Sequence, residues 1–199
     1  LTQGEWEVTS VYVLNPKLKE LYYQSVEGGS TERRVYSIKL NGKGKRLMQG
    51  TKGTNGASFS SNGRYYIHSF SNEVTPPRYS IYQTKSNSLL SSLLDNENLK
   101  DKIEEFGFSD RVFSTLSING EELNMWMIKP EDFDPSKTYP LLMFQYSGPG
   151  SQQVANRWGD QRLLWHKSLA NQGYLIACVD GRGTGFKGAE FKKSTYLYF

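Results

Sequence analysis

An all-β first half built from a repeated unit, followed by an α/β second half, is the fold class this sequence predicts. Three observations carry that expectation. Two clusters of identical residues recur at one offset, the alternating and turn-rich pattern around them stops near Asp95, and two apolar runs beyond Thr138 flank a helical pattern.

The offset is 43, the spacing from Tyr22-Tyr23 to Tyr65-Tyr66 and from Tyr36-Ser37-Ile38 to Tyr79-Ser80-Ile81. Each copy reads as a strand closed by a turn (Leu14 to Lys17; Ser60 to Gly63), an aromatic strand, a polar loop, a Tyr-Ser-Ile strand, and a further turn and strand. In the first copy that further turn is Asn41-Gly42, a strong hairpin signal. Four strands in a period of about 40–45 residues is the pattern of a β-propeller blade. One blade cannot cover both of its faces, so its aromatic residues become buried only by stacking on neighbours. Residues 1–94 therefore read as the C-terminal blades of a propeller whose other blades precede Leu1. A β-sandwich with coincidental similarity is the competing architecture.

Residues 95–110 read as a linker or short helix, with Leu99, Ile103 and Phe106 at helical spacing behind Asp and Asn caps. Residues 111–199 then alternate between elements. A strand from Arg111 to Ile118, the turn Asn119-Gly120 and a strand from Glu121 to Ile128 form a hairpin. The run from Tyr139 to Tyr146, apolar apart from Gln145, predicts a central strand covered on both faces. A helix with Leu164, Trp165 and Leu169 along one side stops at Asn171-Gln172-Gly173, and the strand Tyr174 to Val179 follows. Lys192 to Phe199 reads as the first turns of another helix. Hairpin, strand, helix, strand opens a mixed, mostly parallel α/β sheet.

Composition narrows the function classes. With 37% hydrophobic and 22% charged residues and no long apolar run, nothing reads as a membrane span. The net charge of +4 is scattered, and its densest cluster, Lys43, Lys45 and Arg46, reads as a hairpin tip rather than a nucleic-acid footprint. The single cysteine, Cys178, excludes an intrachain disulfide and reads as a buried thiol. The aromatic content, 13 Tyr, 10 Phe and 4 Trp, falls in short alternating runs that favour strands. His68 and His166 have no carboxylate or cysteine at ligand spacing, so no metal and no other cofactor is implied. Glu104-Glu105 and Glu121-Glu122 read as solvated faces.

Ligands of α/β sheets sit outside the carboxyl ends of the strands. Tyr146-Ser-Gly-Pro-Gly150 and Asp180-Gly-Arg-Gly183 both lie at such ends. Glycine there lets backbone N–H groups face a ligand, and Pro149 stiffens the turn. Tyr146 would hold its phenol over that edge; an ordinary strand-end tyrosine bound to water is the alternative. The run Asp180 to Gly185 fails as a dinucleotide fingerprint because Phe186 stands where a glycine is needed, and Gly188 after Lys187 fails a phosphate-binding loop. It reads as a structural turn with Asp180 or Arg182 in an ion pair.

Together, Tyr-Pro-Leu-Leu (139–142), Tyr146 with Gly148-Pro149, Ser151-Gln152 and Asp180-Gly-Arg-Gly-x-Gly185, preceded by blade-like repeats, resemble the dipeptidyl peptidase IV branch of the prolyl oligopeptidase family of serine peptidases. The resemblance implies a propeller capping an α/β-hydrolase domain, whose beginning is residues 111–199. It implies a Ser/Asp/His triad that releases short amino-terminal peptides after proline or alanine, a homodimer and an exported location. It assigns Tyr146 as the catalytic donor to the oxyanion and Gln152 to the leaving-group side of the cleft, although packing within its loop explains Gln152 equally well. A Gly-x-Ser-x-Gly nucleophile elbow is absent from the 199 residues, so this chain is expected to be inactive alone. The paired glutamates that hold the substrate's amino terminus in that family are not seen either. A non-catalytic propeller or hydrolase-like interaction module is the second functional class.

Overall fold

A computed structural model describes residues 1–159 and 161–197. The chain is mostly β, with three open four-stranded sheets, and it divides into two compact units. The first unit is Leu1–Glu97 together with Ala155–Arg157 and Phe186–Gly188; the second is the rest.

In the first unit, β1 (Val8–Asn15), β2 (Glu20–Ser25), β3 (Arg34–Lys39) and β4 (Arg46–Gln49) form one antiparallel meander, and β5 (Thr54–Phe59), β6 (Tyr65–Ser71), β7 (Arg78–Gln83) and β8 (Ser88–Leu94) form the other. The two sheets join through the Arg33–Thr54 bridge and a shared cluster in which Tyr22 and Tyr66 are fully buried around the half-buried Phe59, their rings 4.8 Å and 5.2 Å from it. Burial of these rings removes far more apolar surface from water than either sheet's small residues do.

The tyrosine pairs matched by the repeat do not occupy the same place. Tyr22 lies opposite Ser37, whereas His68, not Tyr65, lies opposite Ser80. The connection 72–77 is shorter than 26–33, which slides β6 along β7 and leaves Tyr65 exposed. Asn41-Gly42 also falls within a longer connection between β3 and β4 instead of forming a two-residue turn. Lys45 pairs with Glu27, and Arg46 donates to the Lys85 carbonyl, so the basic cluster is engaged by its own unit.

In the second unit, α1 (Glu97–Glu104, its first residue counted with the first unit) buries no residue, and Phe106 beyond it is exposed. Next come β9 (Val112–Ile118), β10 (Glu121–Ile128), β11 (Leu141–Met143), α2 (Gln161–Asn171), β12 (Leu175–Val179) and α3 (Ala189–Lys193). The sheet order is β11-β12-β10-β9, with β11 parallel to β12 and the other pairs antiparallel. Asn119 and Gly120 both have positive φ, 53° and 80°, as the two-residue β9–β10 turn requires. The core gathers Trp126, Ile128, Val154, Leu163, Ala170, Ile176 and Cys178.

Two expectations are corrected here. Among the described residues the run from Tyr139 to Tyr146 is not a doubly covered central strand: only Leu141–Met143 pair, at the edge of this sheet, leaving Leu141 56% and Met143 49% exposed. Its neighbour β12 covers one side only, and after Phe144 donates to the Ala177 carbonyl the backbone leaves the ladder. The buried side of α2 is Leu163, His166, Lys167 and Ala170, while Leu164 and Trp165 face outward. Lys167 can be buried because its ammonium donates to Asp110 at 3.0 Å, and His166 lies among Trp126, Phe144 and Trp165. Gly173, at φ 91°, ends the helix. Of the helix expected from Lys192 to Phe199, α3 begins earlier and ends at Lys193; Tyr198 and Phe199 lie outside the described residues.

Candidate functional site

The site is assembled where β12 ends. Val179 closes a strand that is buried from Ile176 onward, and Asp180, 2% exposed, follows directly. The Asp180 backbone N–H donates to the Asn124 carbonyl, which fixes the residue against β10. Its carboxylate accepts two backbone hydrogen bonds, from Gln153 N–H to Oδ1 at 2.8 Å and from Val154 N–H to Oδ2 at 2.9 Å. Burial pushes the Asp180 carboxyl above its ordinary range, and the two N–H donors oppose that by favouring the ionised form. Among the described residues Asp180 is in no ion pair; backbone amides take the place of a cation. Arg182 does approach a carboxylate, Glu121 at 3.7 Å, but the pair is exposed and worth little.

Four further bonds join these segments. Ser147 Oγ accepts the Gly181 N–H at 3.1 Å and donates to the Val179 carbonyl at 3.4 Å. Gly150 N–H donates to Gly183 O, and Gly185 N–H to Ser151 O, both at 2.9 Å. The close approach explains one glycine: a Cβ on Gly185 would meet the Gly150 carbonyl oxygen at 2.8 Å. Ser147 takes a left-handed φ of 49°, which turns the chain after Tyr146.

Tyr146, the expected catalytic donor, is 69% exposed on this loop, and among the described residues no hydrogen bond engages its hydroxyl. The ring lies over Gly148, where an added Cβ would sit 2.6 Å from its Cε1. Gln152 is half-buried on the same loop, next to Gln153 whose N–H Asp180 holds. Sequence reasoning missed the roles of Asp180 and Ser147. The available signal was an Asp at the end of a wholly apolar strand.

Nothing nearby adds a nucleophile. Cys178 is buried, and its thiol is pushed up to about 12 by desolvation and then by Asp180. Among the described residues no group of three or more His, Cys, Asp or Glu is gathered as a metal would need. No helix of the described residues is long and apolar enough to cross a membrane.

The family model "Dipeptidyl peptidase IV (DPP IV) N-terminal region" matches residues 1–77. A probable dipeptidyl peptidase 4 of Aspergillus flavus is 34% identical over 98% of this chain and 26% of its own length. The dipeptidyl peptidase 4 of Trichophyton rubrum is 35% identical over 98% of this chain and 26% of its own. The crystal structure of Porphyromonas gingivalis dipeptidyl peptidase 4 superposes with a TM-score of 0.92 at 41% identity, over 98% of this chain and 27% of that one. These matches support a fragment of a dipeptidyl peptidase IV family protein. Its match to the family model ends within the second meander, whereas the likeness to whole dipeptidyl peptidase 4 chains runs on through the Tyr146 and Asp180 loops. The chain spans about a quarter of the length of these dipeptidyl peptidase IV relatives.

Proposed function

We propose that this chain is part of a serine exopeptidase that releases short amino-terminal peptides after proline or alanine, with Tyr146 as its oxyanion donor. In this reading the two meanders are propeller blades and the mixed sheet is the beginning of an α/β-hydrolase domain. The observation that carries the reading is an exposed phenol on a loop pinned to the carboxyl end of β12. A donor held by its surroundings loses little by reorganising when charge develops on a carbonyl under attack. Gln152, on the same loop, lines the side where the leaving peptide departs. The Ser, Asp and His of the triad lie outside these residues, and the working protein is a homodimer acting on peptides.

The test is Tyr146→Phe in the full-length protein. The expected result is a fall in kcat of roughly 10²–10³, about 2.7–4 kcal/mol, with KM within about a factor of two, because the hydroxyl acts mainly in the transition state. Equal kcat for variant and parent refutes the assignment. A full-length protein with no peptidase activity at all makes the chain part of a non-catalytic module instead.

A further inference from the structure

We propose that Asp180 is a positioning residue for Tyr146, an inference that rests on the oxyanion reading above. Tyr146 itself has no polar restraint among the described residues; what holds it is its loop. That loop is tied at both ends. Before the tyrosine, Phe144 is still bonded to β12 through the Ala177 carbonyl. Beyond it, the Asp180 carboxylate takes the N–H groups of Gln153 and Val154. Val154 is fully buried in the core and Asp180 nearly so, hence this second tie is shielded from water, where a charge-assisted hydrogen bond is strongest. Between the ties, Ser147 Oγ on Gly181 N–H fixes the residue immediately after the tyrosine.

The geometry gives Asp180 a role that a neutral amide cannot fill. Both of its oxygens accept from N–H donors, so in Asp180→Asn the side-chain NH2 must face one of the two amides, donor against donor. One tie is lost and the backbone from Ser151 to Val154 gains freedom. The effect reaches the reaction through where the loop holds its side chains, the phenol above all, and a misplacement of about 1 Å at such a donor costs up to ~10²-fold.

The experiment compares Asp180→Asn, Tyr146→Phe and the double variant in the full-length protein. Asp180→Asn is expected to lower kcat by roughly 10- to 100-fold with KM within about twofold. The double variant is expected to match Tyr146→Phe alone within about threefold, since the two changes act on one interaction. Backbone hydrogen exchange at Gln153 and Val154 is expected to quicken by at least about tenfold. A parental kcat for Asp180→Asn, or losses that multiply in the double variant, overturns the positioning role. If Asp180→Asn does not fold, Ser147→Ala, which removes the bonds of that hydroxyl to Gly181 N–H, the Val179 carbonyl and the Gln145 amide and leaves the carboxylate in place, carries the same cycle with Tyr146→Phe. The outcomes separate the two proposals. A Tyr146→Phe variant with parental kcat sinks the oxyanion reading even where the exchange data show the clamp intact, whereas a large Tyr146→Phe loss with a silent Asp180→Asn sinks only the positioning role.

Discussion

His68 in the first unit and Asp180 in the second are both buried titratable side chains, and their surroundings treat them in opposite ways. His68 lies on β6 with Nε2 3.0 Å from Asn55 Oδ1, between the rings of Phe70 and Tyr82. Asn55 Nδ2 donates to the carbonyls of Arg33 and Thr51, which leaves only its oxygen for the histidine; His68 Nε2 therefore carries the proton. Burial lowers the His68 pKa to about 4, so the ring is neutral. The Asp180 pKa is raised by burial, and its two N–H donors oppose that rise by favouring the ionised form. Around His68 packed aromatic rings do the holding and the imidazole is neutralised to fit them. Around Asp180, a carboxylate and two backbone amides hold a loop whose Tyr146 side chain is left in water. The lesson is that the same burial gives structure or poise according to the donors supplied with it.

The contrast breaks most visibly at Tyr22. It is fully buried, its ring 4.8 Å from Phe59, and its hydroxyl donates to Glu20 Oε2 at 2.8 Å. Tyr22→Ala is expected to cost about 3–5 kcal/mol, the transfer of a large ring plus the cavity left behind. Denaturant unfolding of the full-length protein, with hydrogen exchange read strand by strand, measures it. Protection should drop across β2, β3 and β5, while Gln153 and Val154 exchange as in the parent. Equal loss at those two amides would mean that packing, and not the carboxylate, holds the Tyr146 loop.

The next effect is one of pH. A histidine whose folded pKa lies near 4 and whose unfolded pKa lies near 6.5 binds more protons unfolded, so stability falls as pH drops through that window. The slope is about 1.4 kcal/mol per pH unit from this residue. His68→Gln keeps a donor for Asn55 and is expected to remove that slope, measured as unfolding midpoint against pH. An unchanged slope would assign the acid lability elsewhere.

Which parts of this were legible in the sequence follows from what a pattern can encode. The β9–β10 hairpin was, because Asn119-Gly120 combines alternating flanks with the two residues that tolerate positive φ. The four strands of each meander were, because turns punctuate them. The edge position of β11 was not: an apolar run reports affinity for a partner and is silent on how many partners arrive. The face of α2 was misread because His166 and Lys167 look like surface residues until Asp110 and the rings of Trp126 and Phe144 are brought to them. The place of Tyr146 on a loop at the sheet's carboxyl end was legible from glycine and proline, whereas the Asp180 clamp was not, since its partners are backbone amides that every residue but proline carries.

The smallest change sharpens the comparison best. Gly148 has no positive φ, so its backbone accepts an alanine without strain, and the surface of the loop predicts a stability change within about 0.5 kcal/mol. Yet the new Cβ would lie 2.6 Å from Tyr146 Cε1 and 3.1 Å from its hydroxyl oxygen. The ring, free in solvent, must swing aside. Gly148→Ala is thus expected to leave the unfolding midpoint and the Gln153 and Val154 exchange rates at parental values while kcat of the full-length protein falls on the order of 10-fold, short of the Tyr146→Phe loss. A variant with parental kcat would show that the phenol finds its place regardless of what lies beneath it, and the second unit would then hold its working residue no more tightly than any exposed tyrosine.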